Sequence, residues 1–426
     1  MYKKLFANKL LKSTMIYTLC DAINKGVPFL ILPLLSYYLS PSDYGIVANF
    51  GVLLAICTIF VSISVDGVIS VNYYKISKEE LSKYIFNALS LIIGSSIIVF
   101  FLFYIFKTQI YINFRIPYIY TILIIVMALA STLTTMNLSL WRLEENPVHF
   151  GIYQISQTIL NILISLFLVI NLGMGWIGRI QGMLISAIIF GIFSLFILFK
   201  RGYLKINFDS TIRKAILLFG LPLIPHTLSL WVRSGIDRIF ITNMYGESAT
   251  GLYATGFQFG ILVSFIMTAF NNAFVPYLYK SLSEPDNLKL QENKKKLKKA
   301  TFYGMIGLIF LCVFFYSISI IILENFFSAQ YIDSKVFILW AILSQVFQGY
   351  YLFFVNYIFF AKKTKSLAVI TFSVSIVQVI LSYLLLKSLG PIGAAYSTLI
   401  VSIINFICIA VYSEKVYKMN WLNFKL

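Results

Sequence analysis

Charge is scarce in this sequence. Only 12% of its 426 residues are Asp, Glu, Lys or Arg, about half of what a soluble domain carries. Acids are the scarcer sign, 16 against 34 Lys and Arg. Histidine occurs twice, at His149 and His226, which excludes a His-rich metal centre. The four cysteines, Cys20, Cys57, Cys312 and Cys408, all sit in apolar runs. They have neither metal-ligand nor disulfide-framework spacing and read as small core residues. No Gly-Lys-Ser or Gly-Lys-Thr loop occurs, so this chain hydrolyses no ATP. Gly173-x-Gly175-x-x-Gly178 matches the dinucleotide fingerprint. It lies between two apolar runs rather than between a strand and a helix, so it reads as a tight turn with close helix packing.

What is present is apolar surface. Hydrophobic residues make up 59% of the chain, more than one aqueous core could bury. That composition excludes an ordinary cytosolic enzyme, a secreted disulfide scaffold and a disordered tail protein. A hydrocarbon core ~30 Å thick needs about 20 helical residues. Twelve runs qualify, near 14–38, 46–71, 85–106, 117–140, 148–171, 177–199, 215–241, 249–278, 301–323, 336–360, 367–386 and 391–413. The first run has no small-residue cleavage site and is expected to be a span rather than a signal peptide. The connections are short except for 279–300, and none could form a soluble domain.

Basic residues alternate between the loops. The N-terminal tail, every second loop and the C-terminal tail together hold 26 of the 34 Lys and Arg, and the opposite loops hold 4. This positive-inside bias places both termini in the cytoplasm and needs no nucleic-acid partner. The stretch 282–300 carries Lys289, Lys294, Lys295, Lys296, Lys298 and Lys299. It is either a helix on anionic lipid or a solvated linker.

The sequence also repeats itself. The turn PSDYGIVA is echoed by ESATGLYA, pairing Gly45 with Gly251, and Tyr74-Lys75 is echoed by Tyr279-Lys280. Later in each half, Leu172-Gly173 with Ile177-Gly178 matches Leu389-Gly390 with Ile392-Gly393. Six spans separate the copies, so both halves run in the same direction. That is a plan shared by many secondary transporters. The expected division is 1–207 and 208–426.

A first span with Pro28 and Pro33 leads into YYLSPSDYGIVANF; the second half answers with DRIFITNMYGESATGLYATGF, and LGMGWIGRIQG follows the fifth span. Together these resemble the polysaccharide flippases of the multidrug/oligosaccharidyl-lipid/polysaccharide exporter superfamily, specifically the O-antigen and capsule repeat-unit flippases. The resemblance covers almost the whole chain. It implies an all-α integral membrane fold, with twelve transmembrane helices in two pseudo-symmetric six-helix bundles around a V-shaped cavity (the MATE-like arrangement). It further implies an undecaprenyl-diphosphate-linked oligosaccharide moved from the cytoplasmic to the periplasmic leaflet by alternating access, driven by an ion gradient. The implied setting is the bacterial cytoplasmic (inner) membrane. The implied partners are the lipid-linked oligosaccharide, membrane lipids, H+ or Na+, and the polysaccharide polymerase machinery. No cofactor and no enzymatic activity are expected. Lipid II flippases of this superfamily usually have two more helices, for which there is no room.

Ionisable residues inside the spans are costly and mark function or pairing. Asp21, Lys25 and Pro28 share one face of span 1, at spacings of four and seven. His226, Arg233 and Asp237 fall within a stripe ~40° wide on span 7. A diphosphate entering the membrane needs fixed cations, and Lys25, Arg179 and Arg233 are the candidates. The alternative is internal neutralisation at i,i+4, Asp21 with Lys25 and Arg233 with Asp237, and for Arg179 an interface anchor. Ion coupling or gating falls to Asp21, Asp66, His226 and Asp237. His226 titrates nearest neutral pH, beside Pro222 and Pro225. Asp66 aligns with Asn272, so the halves differ in charge there. Asp237-Arg238 reads as structural or gating.

The 72 Phe, Tyr and Trp residues suit sugar stacking, an isoprenoid groove or simple lipid contact. A small-molecule exporter of the same fold would want an acidic cavity, whereas the deep charges here are three acids against four bases. A membrane polymerase would want a sizeable periplasmic loop, and the longest periplasmic connection here is 324–335.

Overall fold

The computed structural model describes residues 2–421, and side chains from Ile16 onward except that of Lys25. Every regular element among these residues is helical. Mostly α-helical they are: α1 (Tyr2–Leu35), α2 (Pro41–Ser62), α3 (Val65–Asn72), α4 (Lys78–Ile105), α5 (Lys107–Phe114), α6 (Tyr118–Leu143), α7 (Pro147–Leu166), α8 (Gly175–Lys200), α9 (Ser210–Gly220), α10 (Ile224–Leu282), α11 (Asn287–Phe326), α12 (Lys335–Phe360), α13 (Thr364–Leu389) and α14 (Pro391–Val416). In lipid every backbone polar group must bond within its own segment, and helices do this.

Among the described residues, eleven segments are long and apolar enough to cross a membrane. The longest runs from Ser210 to Leu282, 73 residues, more than twice a bilayer's requirement. Gly246, at φ 86°, interrupts it, and the two arms on either side are the seventh and eighth spans of the sequence reading. The chain is a multi-pass, all-α membrane protein.

Local chemistry sets the helix starts. Ser40 caps α2: its hydroxyl accepts from the Asp43 amide at 3.1 Å, the Asp43 carboxylate accepts from the Ser40 amide at 3.0 Å, and Pro41 occupies the first turn. Ser77 and Glu80 repeat the capping box at α4. The second span departs from the sequence expectation. It breaks at Ile63-Ser64, both in left-handed conformation with φ 46° and 52°, which is costly for a β-branched residue. Ser95 Oγ donates to the Val61 carbonyl at 2.8 Å, which meets one acceptor that the break releases.

Two compact units emerge. The first comprises 1–231 and 242–251, the second 232–241 and 252–426. In the first, α6 packs on α2 and α8, α7 lies against α8, and α1 lines α7. In the second, α12 and α13 pack on α14, and α11 on α12. The basic stretch before α11's apolar part is continuous with that helix rather than a separate surface helix or a linker. At 40 residues, α11 is about 60 Å long and outruns the hydrocarbon. Lys294 and Lys298 donate to the Lys418 and Asn420 carbonyls at 3.2 and 2.8 Å, and these contacts hold the chain's end against α11.

Candidate functional site

The second unit holds a buried carboxylate with no cation bonded to it among the described residues. Asp237, 5% exposed, accepts from Tyr253 at 3.0 Å, from Thr398 at 2.6 Å, from Gln378 at 3.1 Å and from Ser382. Ser397 closes the cluster on Ser382 at 2.9 Å. The arrangement follows from helical spacing. Gln378 and Ser382 lie four apart on α13, Ser397 and Thr398 lie within the first three turns of α14, and Tyr253 stands on the second arm of α10. A buried carboxylate this isolated is expensive to ionise unless hydrogen bonds or a counter-ion offset the cost. Three hydroxyls and one amide on a single carboxylate suit a small monovalent cation or a proton.

Arg233, one turn before Asp237, does not pair with it. Its guanidinium donates to Gln348 Oε1 at 3.2 Å, and among the described residues it meets no acid. Neutralisation within span 7 is therefore not how this arginine is accommodated.

In the first unit, α7 carries Gln154, Thr158, Asn161 and Ser165 at spacings of four, three and four, a polar seam along one helix face. Gln154 Nε2 donates to Asp21 at 3.1 Å, and Thr158 donates to Asn24. Asp21 also lies 3.9 Å from Arg142. At the far end Arg179 donates to Asn161 and Ser165, each at 2.7 Å. It meets no acid among the described residues. With Pro28 and Ile31 of α1 it lines a cavity of about 10 Å³, near the lower limit for one water.

Lys25 lies on α1, but its side chain falls outside the described residues. Asp66 is exposed in the first turn of α3, and among the described residues its carboxylate has no partner. His226 is exposed in the first turn of α10, with no hydrogen bond among the described residues. The stripe His226–Arg233–Asp237 thus spans three settings, exposed, half-buried and buried. Asp21 and Arg179 do share one structure, the α7 seam.

The neutral partners escaped a search confined to charges. The signal that could have found them is polar residues recurring every three or four positions inside apolar spans, as at 154, 158, 161 and 165, and at 378 and 382. Outside the spans, Tyr203 donates to Glu144, which also binds Arg201. Burial, reinforced by that acceptor, pushes the Tyr203 phenol up. This cluster ties the end of α6 to the end of α8.

The repeat-related turns meet. A Cβ on Gly45 would stand 1.9 Å from the Glu247 carbonyl oxygen, and one on Gly251 would stand 1.8 Å from that of Pro41. The contact is reciprocal, and only glycine permits it. Around it Asn49 donates to Thr242 at 2.8 Å, and Asn243 to the Asn113 carbonyl at 3.1 Å. Thr242 bonds Thr250 at 2.8 Å. The turn 242–251 is thereby joined to α2 and α5. The second repeated motif also keeps its function: Gly173 and Gly390 both adopt positive φ, 62° and 75°.

Residues 10–282 match the family described as Polysaccharide biosynthesis protein. An "Uncharacterized membrane protein" of Haemophilus influenzae is 27% identical over 84% of this chain and 86% of its own length. A protein of the Lsg locus of the same organism is 27% identical with the same coverage. Among solved structures, a multidrug resistance MATE family transporter of the MOP superfamily, in its inward-facing conformation, superposes with a TM-score of 0.72 at 14% identity, over 96% of each chain. The fold is MATE-like.

Proposed function

This chain belongs to the polysaccharide biosynthesis protein family, and from that premise we propose that it is a flippase for a lipid-linked oligosaccharide. Its substrate is an undecaprenyl-diphosphate-linked repeat unit of the O-antigen or capsule type. It carries this from the cytoplasmic to the periplasmic leaflet of the bacterial inner membrane by alternating access, drawing on an ion gradient and delivering to polysaccharide polymerase machinery. The MATE-like fold supports a transporter rather than an enzyme.

The observation that carries the substrate assignment is the pair of arginines without acids. Among the described residues, Arg179 and Arg233 stand inside spans on amide and hydroxyl partners alone. A guanidinium held that way keeps its charge available, and its planar fork matches phosphate oxygens. A transporter of cationic drugs would want the opposite sign, which disfavours the small-molecule exporter. Lys25, on α1 between Asp21 and Pro28, is proposed as a third contact. Asp237 serves as the coupling site, taking up H+ or Na+ in exchange for substrate movement. Asp21, on the α7 seam, and the exposed Asp66 and His226 are secondary candidates for coupling or gating.

Arg179→Gln, Arg233→Gln and Lys25→Ala are each expected to abolish surface polysaccharide while the protein stays in the membrane at normal abundance. Normal polymer in all three would end the diphosphate-clamp assignment.

A further inference from the structure

One lipid-site candidate lies outside both the α7 seam and the Asp237 cluster. Residues 210, 213, 214, 217, 218 and 221 fall at i, i+3, i+4, i+7, i+8 and i+11, one face of α9 and the turn after it. Ile216, on the far side of the helix, is buried, as is Gly220, and α9 packs on α3 and α4. Between this face and Leu91 of α4 runs an open groove of about 510 Å³ that reaches Pro222. Its size is that of a ligand site.

The groove is polarised along its length. Arg213 and Lys214 stand at one end; Leu217, Leu218 and Leu221 continue it over about 12 Å of helix. Neither cation has an acidic partner among the described residues. Asp209, four residues before Arg213, is the expected partner. Its Oδ1 instead caps α9, accepting from the amides of Thr211 and Ile212 at 2.8 and 3.2 Å. The nearby Lys205 and Arg201 are already paired, with Glu79 and Glu144. The groove therefore offers two uncommitted cations leading into leucine, the order of an anionic headgroup and its acyl chain. A lipid-linked sugar would need donors and acceptors along the floor, and Ser210 is the only neutral polar side chain lining it.

We propose that the α4–α9 groove binds an anionic membrane phospholipid, with its phosphate on Arg213 and Lys214 and an acyl chain along Leu91, Leu217, Leu218 and Leu221. The lipid would straddle the turn Leu221–Leu223, where the winding of the seventh span tightens to a 3-10 helix. There Gly220 lies against the Ile63 carbonyl at the break of the second span.

The test is lipid titration of the purified, delipidated full-length protein by native mass spectrometry, using phosphatidylglycerol and phosphatidylcholine. Wild type is expected to prefer phosphatidylglycerol, and Arg213→Gln/Lys214→Gln to bind it roughly thirtyfold more weakly. The charge-keeping swap Arg213→Lys/Lys214→Arg should retain binding, which separates lost recognition from lost folding. Unchanged phosphatidylglycerol affinity in the double glutamine variant overturns the proposal, as does equal affinity for phosphatidylcholine. Displacement of phosphatidylglycerol by undecaprenyl diphosphate at stoichiometric amounts also overturns it, because the groove would then be a substrate site. None of these outcomes depends on whether the protein flips an oligosaccharide.

Discussion

Asp237 shows how much a single side chain can demand of its surroundings. Removing a carboxylate from water is costly, and its cluster answers with Tyr253, Gln378, Ser382 and Thr398. Asp237→Asn preserves shape and removes the charge. In proteoliposomes it is expected to reach normal abundance and to lose any response of transport to an imposed Na+ or proton gradient. Gradient dependence equal to wild type would remove Asp237 from the coupling role. Ser382→Ala deletes one donor to a charged acceptor and should weaken the apparent affinity for the coupling ion roughly tenfold or more, measured by the ion concentration giving half-maximal transport. At this scale the sequence disclosed the costly group but not what surrounds it. Gln378 lies 141 residues from Asp237, and no local pattern links them.

Among the elements, the meeting of the two repeated turns is the most constrained feature. Gly45 and Gly251 leave no room for any side chain because each faces a carbonyl oxygen of the other turn. On the alternating-access function proposed above, we expect this contact to be the one that parts. Gly45→Val would force it apart. A cysteine at Thr250, buried in wild type, should then react with a maleimide in a background lacking the four native cysteines. Continued protection of that cysteine would show that the turns stay together. The repeat was readable, since Gly45 and Gly251 share a motif. That the copies touch was not, because a motif carries no distance. The break at Ile63-Ser64 left no sequence trace either. It contains no glycine or proline, and its left-handed residues are held by packing and by Ser95.

For the whole molecule, the distribution of lysine and arginine makes a prediction about sidedness. With both termini cytoplasmic, the turn near Asp333 faces the periplasm and the basic start of α11 faces the cytoplasm. In spheroplasts of cells expressing the cysteine-free protein, Asp333→Cys should be labelled by a membrane-impermeant thiol reagent, and Leu288→Cys, at a position 83% exposed, only after permeabilisation. The reverse pattern would invert the transport direction proposed above.

The sequence by itself determined that this is a helical, multi-pass membrane protein built from a duplicated half, and it pointed to the family. Hydropathy, span length and repeated motifs are local or periodic properties, and a bilayer imposes one answer on them. Only the tertiary structure decided which charges are paired. It gave Asp21 to Gln154 and Arg142, left Arg179 and Arg233 on neutral partners, and enclosed Asp237 in hydroxyls from three helices. Those outcomes depend on side chains far apart along the chain arriving at the same place, and their energies depend on how much water the packing leaves around them.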